Sequence, residues 1–181
     1  MTPLLAILLS LFTPAVPDSI TGSWQRVLVT TDVGTGTEET QTVVRTFKPG
    51  HDLTETVIYE QRVLWDDDEA VVLRFRSSVS GQWVANGRDL LLRYLHRTLR
   101  VDYEGATFPD RAAEVQGSLR HAFEKKNKSY LRNYVSTMRN VLRNYFRRNS
   151  GAAMRDLHFQ GPHQFTATLG QETIAFTRCE E

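Results

Sequence analysis

Val71-Val72-Leu73-Arg74-Phe75-Arg76-Ser77-Ser78-Val79-Ser80-Gly81-Gln82-Trp83 is the stretch that decides the fold class. Val71, Leu73, Phe75, Val79 and Trp83 alternate with Val72, Arg74, Arg76, Ser78 and Gln82. A period of two means a strand with one buried and one wet face. The run upstream, Leu53 to Trp65, repeats the pattern: Leu53, Val57, Tyr59, Val63 and Trp65 share a side, and Thr54, Thr56, Glu60 and Arg62 take the other. Between the two lies Asp66-Asp67-Asp68-Glu69, a polar hairpin tip whose charges discourage edge-to-edge pairing. Downstream, Asn86-Gly87 is a tight-hairpin signal before Leu90. Farther out, Gly34 and Gly36 separate a strand starting at Trp24 from one ending at Phe47, and Pro49-Gly50 makes the next turn. Short strands return at Met154–Phe159, Gln164–Leu169 and Glu172–Arg178, with turns at Gly161-Pro162 and Gly170-Gln171. Successive strands joined by short turns form a meander, and a long meander closes most readily into an up-and-down barrel.

Between about residues 109 and 150 the period changes to a helical one. Leu131, Val135, Met138, Leu142 and Tyr145 recur at spacings of four and three, and Tyr134, Val141 and Phe146 widen the stripe. Pro109 fits a first helical position, and Gly151 fits a left-handed C-cap. Gly117 and Lys126-Asn127-Lys128-Ser129 break the run, so the pattern predicts two helices meeting near Asn127. The segment from Asp110 to Ser150 holds ten Lys or Arg against three Asp or Glu, a local net charge of +7, while the remainder carries −6. A mildly acidic body thus bears a basic arm.

Gly22-Ser23-Trp24, Phe47-Lys48-Pro49-Gly50, Gly81-Gln82-Trp83 and the pair Phe176 and Arg178 occur in an order that resembles bacterial lipocalin-like domains. Ile20-Thr21-Gly22-Ser23-Trp24 looks like a Gly-x-Trp first strand, and Phe47-Lys48-Pro49-Gly50 resembles the Phe-x-x-Gly hairpin. Gly81-Gln82-Trp83 followed by Asn86-Gly87-Arg88-Asp89-Leu90 is similar to the family's mid-chain strand pair, and Phe176 with Arg178 fits its closing strand. The resemblance implies a mainly-β, antiparallel, up-and-down lipocalin-like β-barrel over residues 18–181, here with an α-helical insertion at about 109–150 before the final strands. The insertion departs from the family, which usually carries one helix after its eighth strand. It leaves a half-barrel or sandwich capped by helices as the alternative, and it blocks transfer of the family's ligand habits.

Residues 1–17 read as a signal peptide. Leu4, Leu5, Ala6, Ile7, Leu8, Leu9, Leu11 and Phe12 form an apolar block before Thr13-Pro14-Ala15, too short to span a membrane. The expectation is an exported protein, periplasmic or secreted, and not a lipoprotein, because no Cys follows the block. Cys179 is the sole cysteine, so no internal disulfide forms and the fold stands on its apolar core.

No catalytic triad, phosphate loop or metal-ligand spacing is present, so neither an enzyme nor a cofactor is expected. Two binding readings remain. In the first, the barrel holds a small apolar or amphipathic ligand against Trp24, Tyr59, Phe75 and Trp83. Glu55 shares the parity of the buried residues, and is either a polar anchor inside the cavity or a residue near a barrel mouth. In the second, Arg132, Arg139, Arg143 and Arg147 dock the basic arm onto an anionic membrane surface or acidic partner. Nucleic acid is not an expected partner of an exported chain.

Overall fold

A computed structural model describes residues 20–32, 37–65 and 69–180. The expected signal peptide, the Gly34–Gly36 turn and the tip at 66–68 lie outside these residues. Among these residues nine strands form: β1 Gly22–Asp32, β2 Thr37–Phe47, β3 Asp52–Trp65, β4 Glu69–Asn86, β5 Asp89–Tyr94, β6 Arg100–Thr107, β7 Ala152–Phe159, β8 Gln164–Leu169 and β9 Glu172–Arg178. Two helices, α1 Ala113–Lys126 and α2 Lys128–Arg148, separate β6 from β7 and meet at Asn127.

The strands pair antiparallel in the ring β1-β2-β3-β4-β5-β7-β8-β9 and back to β1, a closed eight-stranded barrel. β6 follows β5 along the same edge of β4: Gly81–Asn86 pair with β5 and Val72–Ser78 with β6, separated by a single turn at His96–Thr98. The changeover takes place at Gly81, where a Cβ would stand 2.6 Å from the Arg93 carbonyl oxygen. Only a residue without a side chain fits there.

Closure is complete in one half only. β5 pairs with β7 over Leu90–Leu92, and β1 with β9 at Trp24 and Gln25. Beyond those residues β1, β2, β3, β4 and β6 continue as an open half-barrel. The helices cover it, so both the barrel and the helix-capped half-barrel are present, stacked end to end. The closed tier is packed with Trp24, Phe47, Trp83, Leu90, Met154, Phe165 and Phe176, all at most 2 % exposed. The half-barrel presents Val43, Val57, Tyr59, Val71, Leu73 and Phe75 to Phe123 of α1 and Leu131 of α2. Val135, Met138 and Leu142 of α2 pack against both clusters, so the helix bridges the tiers.

The helix boundaries differ from those the sequence predicts. Pro109 lies in a turn and α1 starts four residues later, because the Gln116 side chain binds that turn: it accepts from the Phe108 N–H at 2.9 Å and donates to the Phe108 carbonyl. α2 ends at Asn149, whose Nδ2 donates to the Tyr145 carbonyl at 3.0 Å, so the cap is an asparagine and not Gly151.

Candidate functional site

The five residues that the sequence points to as ligand contacts all face the barrel interior, in three places. Trp24 and Trp83 plug the closed tier. Trp24 donates Nε1 to the Ile20 carbonyl at 2.7 Å and meets Phe165 edge-on, while Trp83 donates to the Lys48 carbonyl and meets Phe47 edge-on. Arg178 lies over the Trp24 ring at 4.6 Å and against Gly22, whose φ of 124° no side chain adopts readily. Tyr59 and Phe75 stand opposite each other on β3 and β4 in the open tier, where Phe75 packs on Tyr134 of α2 at 4.7 Å.

Glu55 sits between the tiers and not at a mouth. It is 7 % exposed, accepts from Arg45 Nε at 2.6 Å and from the Tyr94 hydroxyl at 2.7 Å. Arg45 also directs Nη1 to the Met154 sulfur and lies over the Phe176 ring. Burial alone would lower the Arg45 pKa; the adjacent carboxylate reverses this and holds it above its ordinary value. Burial, then the Glu55 charge, push the Tyr94 hydroxyl well above the usual tyrosine range. Arg45 completes this cluster. It shares parity with Val43 and Phe47, and the hairpin at Pro49-Gly50 sets it opposite Glu55.

A groove of about 780 Å³ runs between α1, α2 and β6. Its floor is apolar: Tyr103 of β6 with Leu131 and Val135 of α2. His121 and Lys125, one turn apart on α1, face Lys128 and Arg132, one turn apart on α2, with Ser136 and Arg139 farther along. Glu124 also lines it, and accepts from Arg120 Nε at 2.7 Å. Burial, and Glu124 beside it, raise the Tyr103 hydroxyl above its ordinary pKa. Arg139 donates to the Val101 carbonyl at 3.1 Å and Arg120 to that of Glu104 at 2.9 Å, so two guanidiniums cover β6 backbone. Lys125, Lys128, Arg132 and Arg139 make no ion pair among the described residues.

Of the four arginines that the sequence assigns to an anionic surface, Arg132 and Arg139 line this groove, whereas Arg143 and Arg147 are exposed farther along α2. Sequence periodicity places the cations on α2, but the hollow arises from the way α1 folds back against it, which periodicity does not contain. No three of the described His, Cys, Asp and Glu residues converge as a metal site. A comparison with protein-family models finds no match to this chain, and a comparison with curated proteins finds none either. The closed antiparallel barrel is compatible with a lipocalin-like fold.

Proposed function

We propose that the protein is an exported binding protein for a small hydrophobic or amphipathic ligand, seated in the groove between α1, α2 and β6. The observation that carries this reading is the groove itself. Its volume of about 780 Å³ lies in the range of small-molecule sites, roughly 300–1,000 Å³, and it combines an apolar floor with a polar, largely basic rim. The interior of the closed tier is filled by aromatic residues that pack on one another. Export rests on the apolar block at residues 4–12.

The test uses the uncharged dye N-phenyl-1-naphthylamine with the full chain. Saturable fluorescence enhancement is expected, and Ser136→Trp, which fills the groove from an exposed position, lowers it. Absence of saturable binding, or equal binding by the filled variant, overturns the reading.

A second reading has its own observation: Arg143 and Arg147 are exposed, and α2 contains no Asp or Glu. We propose an anionic membrane surface as its partner. Co-sedimentation with phosphatidylglycerol vesicles, lost with Arg143→Glu/Arg147→Glu, supports it; retention with that pair rejects it.

A further inference from the structure

α2 carries six Lys or Arg and no acidic residue in its 21 residues, and it distributes them unevenly. At about 100° per residue, Leu131, Met138 and Leu142 centre on the barrel. Asn133, Thr137, Asn140 and Asn144 form the opposite ridge, polar and uncharged as far as Arg147, one heptad beyond Asn140. The flank between them that turns toward α1 carries Lys128, Arg132, Arg139 and Arg143; the other flank carries Tyr130, Tyr134, Val141 and, in the last turn, Arg148. A helix that needed charge only for solubility would place it on the outer ridge, where water is most accessible. Here four of the six cations lie on the flank toward α1, and three of them, Lys128, Arg132 and Arg139, line the groove.

Several of the described arginines outside the groove pair with carboxylates, although others, Arg97 and Arg155 among them, make no ion pair among the described residues. Arg74 pairs with Glu60 and Glu104, Arg76 with Glu104, and Arg111 with Glu69. Within the groove the one carboxylate, Glu124, is already held by Arg120. Lys125, Lys128 and Arg132 therefore border an apolar-floored hollow with like charges that make no ion pair among the described residues, and positive charge exceeds the single carboxylate there. An occupant bearing one negative group relieves that repulsion, and its hydrocarbon part covers Leu131, Val135 and the Tyr103 ring.

We infer that the groove takes a single-chain amphipathic anion, with its head group held by Lys125, Lys128 and Arg132 and its alkyl chain on the floor. This rests on the groove being a binding site, and adds the charge of the ligand. The neutral dye tests the site; a head-group series tests the charge.

Calorimetric titration of the full chain with decanoate, decanol and decyltrimethylammonium at low salt separates the two. Decanoate is expected to bind about tenfold more tightly than decanol, the gain from a charge-assisted contact, with decyltrimethylammonium weakest. Lys128→Gln/Arg132→Gln, both at exposed positions, should erase the preference for decanoate while leaving decanol binding intact. Arg148→Gln, which also removes charge from α2 but lies on its far flank, should leave the preference in place. If decanol binds as tightly as decanoate, the anionic head group is wrong and the hydrophobic site stands. Equal loss of preference in Arg148→Gln would mean that net charge and not this site is read, which also overturns the inference. If none of the three binds, both readings fall.

Discussion

Arg45 and Glu55 stand directly opposite each other on β2 and β3, joined at 2.6 Å at a level of the barrel where both side chains are less than a tenth exposed. Two charges taken out of water cost several kcal/mol each, and the pair is supported by further contacts around it. Glu55 accepts from Arg45 and Tyr94, and Arg45 spends its remaining contacts on Met154 and the Phe176 face. The cluster ties β2, β3, β5 and β7 together where the closed tier gives way to the open one.

Removing one partner is therefore expected to cost more than removing both. Arg45→Met strands a buried carboxylate and Glu55→Gln strands a buried guanidinium, each costing about 3–5 kcal/mol. The double variant Arg45→Met/Glu55→Gln keeps an acceptor for the Tyr94 hydroxyl and buries no charge, so its loss should be smaller than either single loss. Denaturant unfolding of the four proteins measures the coupling. Additive losses would show that the pair is not a unit.

The same cluster gives the protein an alkaline limit. The Tyr94 hydroxyl is raised in the folded state, and burial also raises Tyr59 and Tyr103. A tyrosine that is harder to ionise when folded contributes stability that is full below its unfolded pKa and lost as pH rises toward the folded value. The melting temperature should therefore fall above about pH 10, the ordinary tyrosine value. Tyr94→Phe should begin lower at neutral pH, having lost its bond to Glu55, and decline less steeply between about pH 10 and 11. Parallel pH profiles of wild type and variant would reject the assignment.

Gly81 and Gly117 should respond to alanine in opposite directions. At Gly81 a Cβ collides with the Arg93 carbonyl where β4 changes partners, and overpacking of this kind costs about 1–3 kcal/mol. At Gly117, inside α1, a Cβ meets nothing within 4 Å, so Gly117→Ala should gain roughly 0.5–1 kcal/mol from helix propensity. Thermal melts of the two variants show whether the signs differ.

Alternation and turn chemistry make most of the barrel legible. Val71 to Trp83 faces the core on the parity its sequence implies, and β8 and β9 fall on the boundaries their turns mark. Even Arg45 opposite Glu55 is contained in the sequence, since both share parity with buried neighbours and one turn fixes their register. Alternation tells which face a residue takes but not which strand lies beside it. That β6 continues along the edge of β4 without reaching β7 depends on the three-residue turn at His96–Thr98 and on the space at Gly81. The groove is less legible still. Charge asymmetry reveals the basic flank of α2, whereas the hollow depends on the angle between α1 and α2, set by contacts such as Phe123 on Trp65 and Arg120 on Glu104.

Those contacts also decide whether the insertion is an appended arm or part of the core. Phe146 near the end of α2 is 3 % exposed, packs on Tyr94 at 4.8 Å and belongs to the core of the closed tier, while Leu131 near its start belongs to the other cluster. An arm would melt alone; a helix that bridges two tiers must unfold with them. Phe146→Ala should cost about 3–5 kcal/mol, the range for deleting a buried aromatic. The helical signal in circular dichroism and the fluorescence of Trp24, Trp65 and Trp83 should shift together to the same lower midpoint. An earlier helical transition, with tryptophan fluorescence unmoved, would instead mean that α2 rests on the half-barrel without holding it closed.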